Sequence, residues 1–283
     1  MGKVDLHLHS CISDGKYTPA EVVRRAAEAG LLVIALTDHD NVDGIPQAMR
    51  AALSFPSLLV IPGVEISTEE PEGEVHVLGY FIDYTHPELL ATLEKSRESR
   101  QQRARDMVDK LAELGMPVEW KRVQEIAGEG SIGRPHIAQA LLEKGYITTI
   151  REAFDKYIAY GGPAYIERIK ITPAEAVELI VRASGLPVLA HPLTNREPEA
   201  LIARLAKSGL AGIEAYFGQY TPEQVRTLCG LANKYGLICT GGTDYHGLDE
   251  NAETPMGGSN TPLSAADKLI ALAAQRRGTP SVC

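Results

Sequence analysis

Asp5, His7 and His9 occupy alternate positions in the opening run "VDLHLHSCISDG" (residues 4–15), and Asp14 follows shortly after. Side chains alternate faces along a strand, so the first three would share one face. The same two residue types recur downstream: His39 in "LTDHD", Glu65 in "PGVEI", His76 in "EVHVLGY", His191 in "PVLAHP", and Asp244 and His246 in "GGTDYH". Six of the eight histidines therefore fall on, or at the end of, an apolar strand-like run. Any one of them alone reads as a hydrogen-bonded core histidine or a turn residue. Taken together with Asp14, Glu65 and Asp244 they read as metal ligands. Imidazole and carboxylate without thiolate suit Zn, Mn or Fe, and the pattern does not separate these. A catalytic ion takes three to four protein ligands and keeps positions open for water and substrate, so nine ligands imply two or three divalent ions.

Strands must carry these residues, and the sequence offers seven: 3–8, 31–37, 57–63, 74–82, 186–190, 211–217 and 237–242. Helices with readable starts lie between several of them. "TPAEVVRRAAEAG" (18–30) has Thr18 as N-cap, Pro19 in the first turn, Glu21 completing a capping box and Gly30 as a stop. The design recurs at 172–185 and 221–236. Such alternation predicts a parallel sheet or barrel, with the site at the C-terminal ends of its strands. From about 86 to 164 the rhythm breaks into helices in series. The expectation is α/β: a barrel formed by residues 1–99 and 166–283, interrupted by an all-α insertion at 100–165.

The ordered set "DLHLHSCISDG", "LTDHD", "PGVEI", "EVHVLGY", "LAHP", "GTDYH" resembles the PHP (polymerase and histidinol phosphatase) family over nearly the whole chain apart from the insertion. The resemblance implies a distorted (β/α)7 barrel with a trinuclear metal site, manganese being the first expectation. It implies that His7, His9, Glu65 and Asp244 hold one ion, that Glu65 bridges to a second held by His76 and His191, and that Asp14, His39 and His246 hold the third. Many members have histidine where this chain has Asp14, which makes the third site more anionic and matches a subgroup of stand-alone phosphoesterases. Three ions against three carboxylates and a bridging hydroxide leave a centre of about +2, a complement to a phosphate dianion. The expected reaction is in-line attack of that hydroxide on phosphorus. Asp244, His191 and His246 are the catalytic candidates, with His191, His246 or a metal-bound water as alternatives for the general acid. Asp5, placed by strand geometry, is expected to orient imidazoles. Asp38 reads equally as turn-forming, and Asp40 is open.

On the substrate side, "GRPH" (133–136) opens a helix with proline in its first turn, gathering backbone N–H groups, the Arg134 guanidinium and the His136 imidazole. Tyr165, Arg168 and Lys170 are further candidates near the return to the barrel. His86, before a proline at a helix start, reads as structural. The insertion resembles the branch that hydrolyses 3′,5′-nucleoside bisphosphates, related members of which trim 5′ ends of short RNA. That implies a small nucleotide with its 3′-phosphate on the metals and its 5′-phosphate on the basic patch. Rivals are a 5′–3′ exonuclease on short RNA, a histidinol phosphate phosphatase and, outside the enzymes, a metal-binding accessory module.

Bulk properties bound these readings. With 283 residues, 44% hydrophobic and 23% charged, the chain reads as one large soluble globular unit or a domain with an insertion. No apolar run reaches membrane-spanning length and no signal peptide is legible. Cys11, Cys229, Cys239 and Cys283 form no CxxC or disulfide framework, so the cytoplasm is expected. A net charge of −9 argues against long nucleic acid as a partner. Residues 95–170 nevertheless hold 14 Lys/Arg against 11 Asp/Glu, leaving 14 against 26 elsewhere. A mildly basic segment on an acidic body suits a small anion. Nothing in the sequence fixes the oligomeric state.

Overall fold

The computed structural model describes residues 3–70, 73–128, 132–167, 171–249 and 252–278. Seven strands run β1 (Val4–Leu8), β2 (Val33–Leu36), β3 (Leu59–Glu70), β4 (Gly73–Tyr80), β5 (Leu186–Leu189), β6 (Gly212–Phe217) and β7 (Ile238–Gly242). They pair in chain order into a single sheet. That sheet nearly closes, because the His9 N–H donates to Tyr245 O at 3.0 Å just past the end of β7. All seven expected strands are present. The helices are α1 (Pro19–Glu28), α2 (Ile45–Ala52), α3 (Pro87–Glu113), α4 (Trp120–Ala127), α5 (Arg134–Glu143), α6 (Ile150–Ala153), α7 (Pro173–Arg182), α8 (Pro198–Lys207), α9 (Pro222–Lys234) and α10 (Leu263–Gly278). A π-helical turn, Phe154–Ile158, continues α6.

The capping boxes form as read. Thr18, Thr172 and Thr221 each accept from the backbone N–H three residues on, and Glu21, Glu175 and Gln224 reach back to the cap. Each satisfies donors that a helix start leaves open. The outward face of the sheet is apolar. Val64, Ile66, Val75 and Val77 pack with Val177 and Ile180 of α7 and with Leu89 and Leu93 of α3. Ile34 and Leu36 pack with Val22, Val23 and Ala26 of α1.

One strand departs from a parallel barrel. β4 is antiparallel to both β3 and β5, while the other pairs are parallel. Only two residues separate β3 from β4, too few for the crossover a parallel neighbour needs. The reversal matters for chemistry. His76, early in β4, faces Ser67, late in β3. A histidine near a strand start thereby reaches the same end of the barrel as residues at strand ends.

The segment between β4 and β5 is helical in its described residues. Its core gathers Met107 and Leu111 of α3, Ile137 and Leu141 of α5, and Ile158 of the π-turn. Helix α3 passes through position 100 without a break and serves both regions: Leu89 and Leu93 join the barrel's packing, Met107 and Leu111 that of the helices.

Candidate functional site

Glu65, fully buried on β3, is the hub of the histidine cluster. Its Oε1 lies 2.9 Å from His76 Nδ1 and 3.3 Å from His191 Nε2. Its Oε2 lies 3.1 Å from His7 Nε2, 3.2 Å from His9 Nε2 and 3.1 Å from His39 Nδ1. Asp244 Oδ1 is 3.3 Å from His7 Nε2 and 3.1 Å from His9 Nε2. Asp14 Oδ1 is 3.3 Å from His246 Nε2, and its oxygens lie 3.9 Å from His9 Nδ1 and from His39 Nε2. All nine residues expected to hold metal thus meet at one end of the barrel.

The donor set fits divalent ions. His7 Nε2, His9 Nε2, His39 Nδ1, His76 Nδ1, Glu65 Oε2, Asp14 Oδ1 and Asp244 Oδ1 are buried without a hydrogen-bond partner. Each such orphan costs about 1–3 kcal/mol unless something satisfies it. Two atoms each about 2.1 Å from a shared ion stand about 3.0–3.4 Å apart, which matches most of the separations above. Three close groups form: His7–His9–Glu65–Asp244, His9–Asp14–His39–His246 and His39–Glu65–His76. The first is the set the resemblance implied. The second gains His9. In the third, His39, which the resemblance gave to the ion of Asp14 and His246, joins Glu65 and His76 in place of His191, while His191 keeps its contact with Glu65 at 3.3 Å.

Charge holds the carboxylates in their binding form, while those same carboxylates, against burial, raise the imidazoles of His7, His9, His191 and His246, the last to about 10, so these rings keep a proton until a cation takes its place. Burial alone would raise the Glu65 carboxyl, but the imidazoles of His39, His7 and His76 outweigh it and hold it well below the usual range. Asp14 and Asp244 are held low against burial in the same way, Asp14 by His39 and His246 and Asp244 by His7, His9 and His246. Burial pushes His39 down to about 3, so its ring stays neutral and free to ligate.

Neighbouring groups fix the rings. Glu214 on β6, fully buried, takes His7 Nδ1 at 3.0 Å with one oxygen and the His191 backbone N–H at 2.7 Å with the other. His246 Nδ1 lies 2.9 Å from Asp244 O, which directs Nε2 towards Asp14. Asp5 corrects the sequence expectation. Its carboxylate accepts from Thr243 N–H and Oγ1 (2.9 and 2.6 Å) and from Gly257 N–H (2.8 Å), and its one histidine contact is the His7 backbone N–H at 3.4 Å. It shares the face of His7 and His9 but fastens the loop after β7 rather than an imidazole. Asp38 orders the loop after β1 rather than its own turn: it accepts from the Ser10 N–H and the Ser10 and Ser13 hydroxyls, and Ser13 Oγ lies 3.5 Å from His9 Nδ1. His191, Asp244 and Asp40 hold positive φ (26°, 56° and 48°), a strained conformation for non-glycine residues that clusters at working sites.

A cavity of about 730 Å³, mouth included, opens over this centre. Asp14, His39, His76 and His246 of the centre line it together with Arg100, Arg103 and Arg134. Arg134 pairs with Glu74, which also takes Arg103 Nη1 at 2.7 Å. Arg103 is further held by Ile166 O at 2.7 Å and by the Tyr165 ring beneath its guanidinium. Arg100 Nη2 donates to Asp40 Oδ2 at 2.9 Å. Arg100 Nε and Arg103 Nη2 are buried without partners. The arginines are fixed in place with donors to spare, as a site for a second anion requires.

The sequence-based candidates on this side fared unevenly. Arg134 lines the cavity. His136 is buried and serves as a helix cap, its Nδ1 accepting from the Gly133 N–H at 2.9 Å, so that N–H is already engaged. Tyr165 supports Arg103 and donates to Glu69 Oε1 at 2.8 Å. Arg168 and Lys170 lie outside the described residues. His86 caps α3 through Leu89 N–H, as its structural reading required. Arg100, Arg103, Glu74 and Glu214 were missed. The signal for the arginines was present, because Arg97, Arg100 and Arg103 recur every third residue and so share a helix face.

Comparisons with known proteins agree with this geometry. The family model described as "PHP domain" matches residues 5–167. The chain is 34% identical over 247 residues to the "5′-3′ exoribonuclease Rnm" of Salmonella typhimurium, covering 86% of this chain and 84% of that protein. It is also 34% identical over 260 residues to a "3′,5′-nucleoside bisphosphate phosphatase" of Chromobacterium violaceum, covering 88% and 89%. An amidohydrolase structure from Chromobacterium violaceum, with bound sulfate and no metal, superposes with a TM-score of 0.84 at 32% identity over 95% of this chain and 96% of that one. Among the described residues no helix is long and apolar enough to cross a membrane.

Proposed function

This chain belongs to the PHP domain family and is a hydrolase of phosphoesters, and from that premise we propose that its substrate is a 3′,5′-nucleoside bisphosphate, cleaved at the 3′-phosphate. The observation that carries the reading is one cavity lined both by residues of the histidine–carboxylate centre and by three arginines, two groups that each accept an anion. A substrate with one phosphate leaves the second group unused. A long polymer is disfavoured by a net charge of −9.

We assign His7, His9, Asp14, His39, Glu65, His76, His191, Asp244 and His246 to two or three divalent ions, manganese first. Bound there, such ions supply Lewis acidity and a nucleophile at neutral pH. The chain's own residues do the rest. Glu214 and the Asp244 carbonyl set the ring tautomers of His7 and His246. Arg100, Arg103 and Arg134 hold the 5′-phosphate, so the substrate enters with its 3′-phosphate towards Glu65. The proton for the leaving 3′-oxygen is assigned to His191, His246 or a water at the centre, and either histidine would serve only where its ring does not ligate an ion. The barrel carries the metals and the helices between β4 and β5 cover the substrate.

Short RNA with a 5′-phosphate is the second reading, favoured by the equal identity to a 5′-3′ exoribonuclease. The test is a comparison of kcat/KM for adenosine 3′,5′-bisphosphate, a 5′-phosphorylated dinucleotide and histidinol phosphate on manganese-loaded protein. The bisphosphate is expected to lead. A lead for the dinucleotide transfers the assignment to short RNA, and a lead for histidinol phosphate removes the role given to the arginines.

A further inference from the structure

The cavity has a third wall that neither metals nor phosphate explain. Ala104 and Met107 of α3, Ile132 before α5, and Phe154 line it, all apolar, beside the arginines. Phe154 is half-buried and stands at the first position of the π-helical turn. Such turns break the regular hydrogen-bond ladder and occur often at functional sites. The Arg134 guanidinium lies over one face of its ring, with the guanidinium carbon 5.6 Å from the ring centroid.

We infer that Phe154 and its neighbours form a nucleobase subsite that accepts any base without reading its edge. The inference rests on the bisphosphate reading and deepens it. Three observations carry it. A phosphate finds nothing to bind on this wall, whereas a flat, largely apolar ring does. The wall adjoins Arg134, so base and 5′-phosphate would sit side by side, as they do on one ribose. The wall offers no side-chain hydrogen-bond donor or acceptor among these four residues, and edge recognition needs such groups. Stacking on an aromatic ring tolerates every base, because each has a π-face.

The test is equilibrium binding to manganese-loaded protein of adenosine 5′-monophosphate, uridine 5′-monophosphate and base-free ribose 5-phosphate, with wild type, Phe154→Ala and Phe154→Tyr. Phe154→Ala is expected to weaken both nucleotides by about tenfold, the scale of one lost stacking contact. Ribose 5-phosphate should weaken by less than about twofold, and Phe154→Tyr should restore the nucleotides to near wild-type affinity. Wild type should bind adenosine and uridine compounds with similar strength. Equal weakening of all three ligands by Phe154→Ala would overturn the subsite, as would no weakening of any. A strong preference for one base would overturn its indifference. Because the assay reads binding and not turnover, it stays decisive even if the bisphosphate proves not to be hydrolysed, an outcome that would sink only the earlier reading.

Discussion

The two charged walls of the cavity are built by different means. The histidine wall comes from strands and strand ends of six different strands of the barrel, buried and cross-braced by Glu214, the Asp244 carbonyl, Ser13 and Asp38. The arginine wall comes mainly from α3 and the start of α5, and its guanidiniums are held by Glu74, Asp40 and Ile166 O. Strands fix the positions of short side chains to a fraction of an ångström, which metal coordination demands. Long side chains on helices tolerate more variation in what they bind, which suits recognition. The difference teaches where chemistry and selectivity are separable in this molecule.

Changes on the histidine wall should be the most damaging. Glu65→Gln removes the carboxylate that five imidazoles face. It is expected to lower metal content and cut kcat by about a thousandfold or more. Metal analysis beside steady-state kinetics reads both, and full metal retention with normal kcat would refute the hub role. Glu214→Gln keeps the ligands but disturbs the acceptor at His7 Nδ1, so a loss of about 10- to 100-fold in metal affinity or activity is expected. Competition with a chelator would measure it.

The arginine wall should behave otherwise. Arg103→Ala is expected to raise KM for a bisphosphate by about 10- to 100-fold, the scale of one lost charge-assisted pair, with a smaller change in kcat. A fall in kcat with KM unmoved would place Arg103 with the chemistry and erase the distinction between the walls. At the small end, Thr172→Ala breaks a capping box at a residue that does not line the cavity and should cost about 1 kcal/mol of stability with kinetics preserved. A denaturant midpoint reads that cost.

Legibility in the sequence followed the same division. Strand period, capping boxes and the histidine spacing made the barrel and all nine candidate ligands readable, because those constraints are local. The antiparallel β4 was not read because the third strand was expected to end at 63; β3 runs on to Glu70, which puts Glu65 inside the strand and leaves two residues before β4, too few for a parallel crossover. Asp5 misled because the face a strand residue takes says nothing about what meets it there, and Thr243 and Gly257 are some 240 and 250 positions away in sequence. Glu214 was hidden for the same reason: a lone acid in "AGIEAYF" acquires its meaning from His7 across the barrel. Arg134 was found through its helix-start motif. Arg100 and Arg103 sat in a charge-rich helix where many neighbours are solvated; their three-residue spacing with Arg97 marks a shared face, and the cavity shows what that face meets.

The most direct test of the two-walled account is the identity of the nucleotide released when manganese-loaded protein is given adenosine 3′,5′-bisphosphate. The account predicts adenosine 5′-monophosphate and inorganic phosphate, with the 3′-phosphate on the histidine wall and the 5′-phosphate on the arginines. Adenosine 3′-monophosphate as the product, or no phosphate released at all, would contradict it.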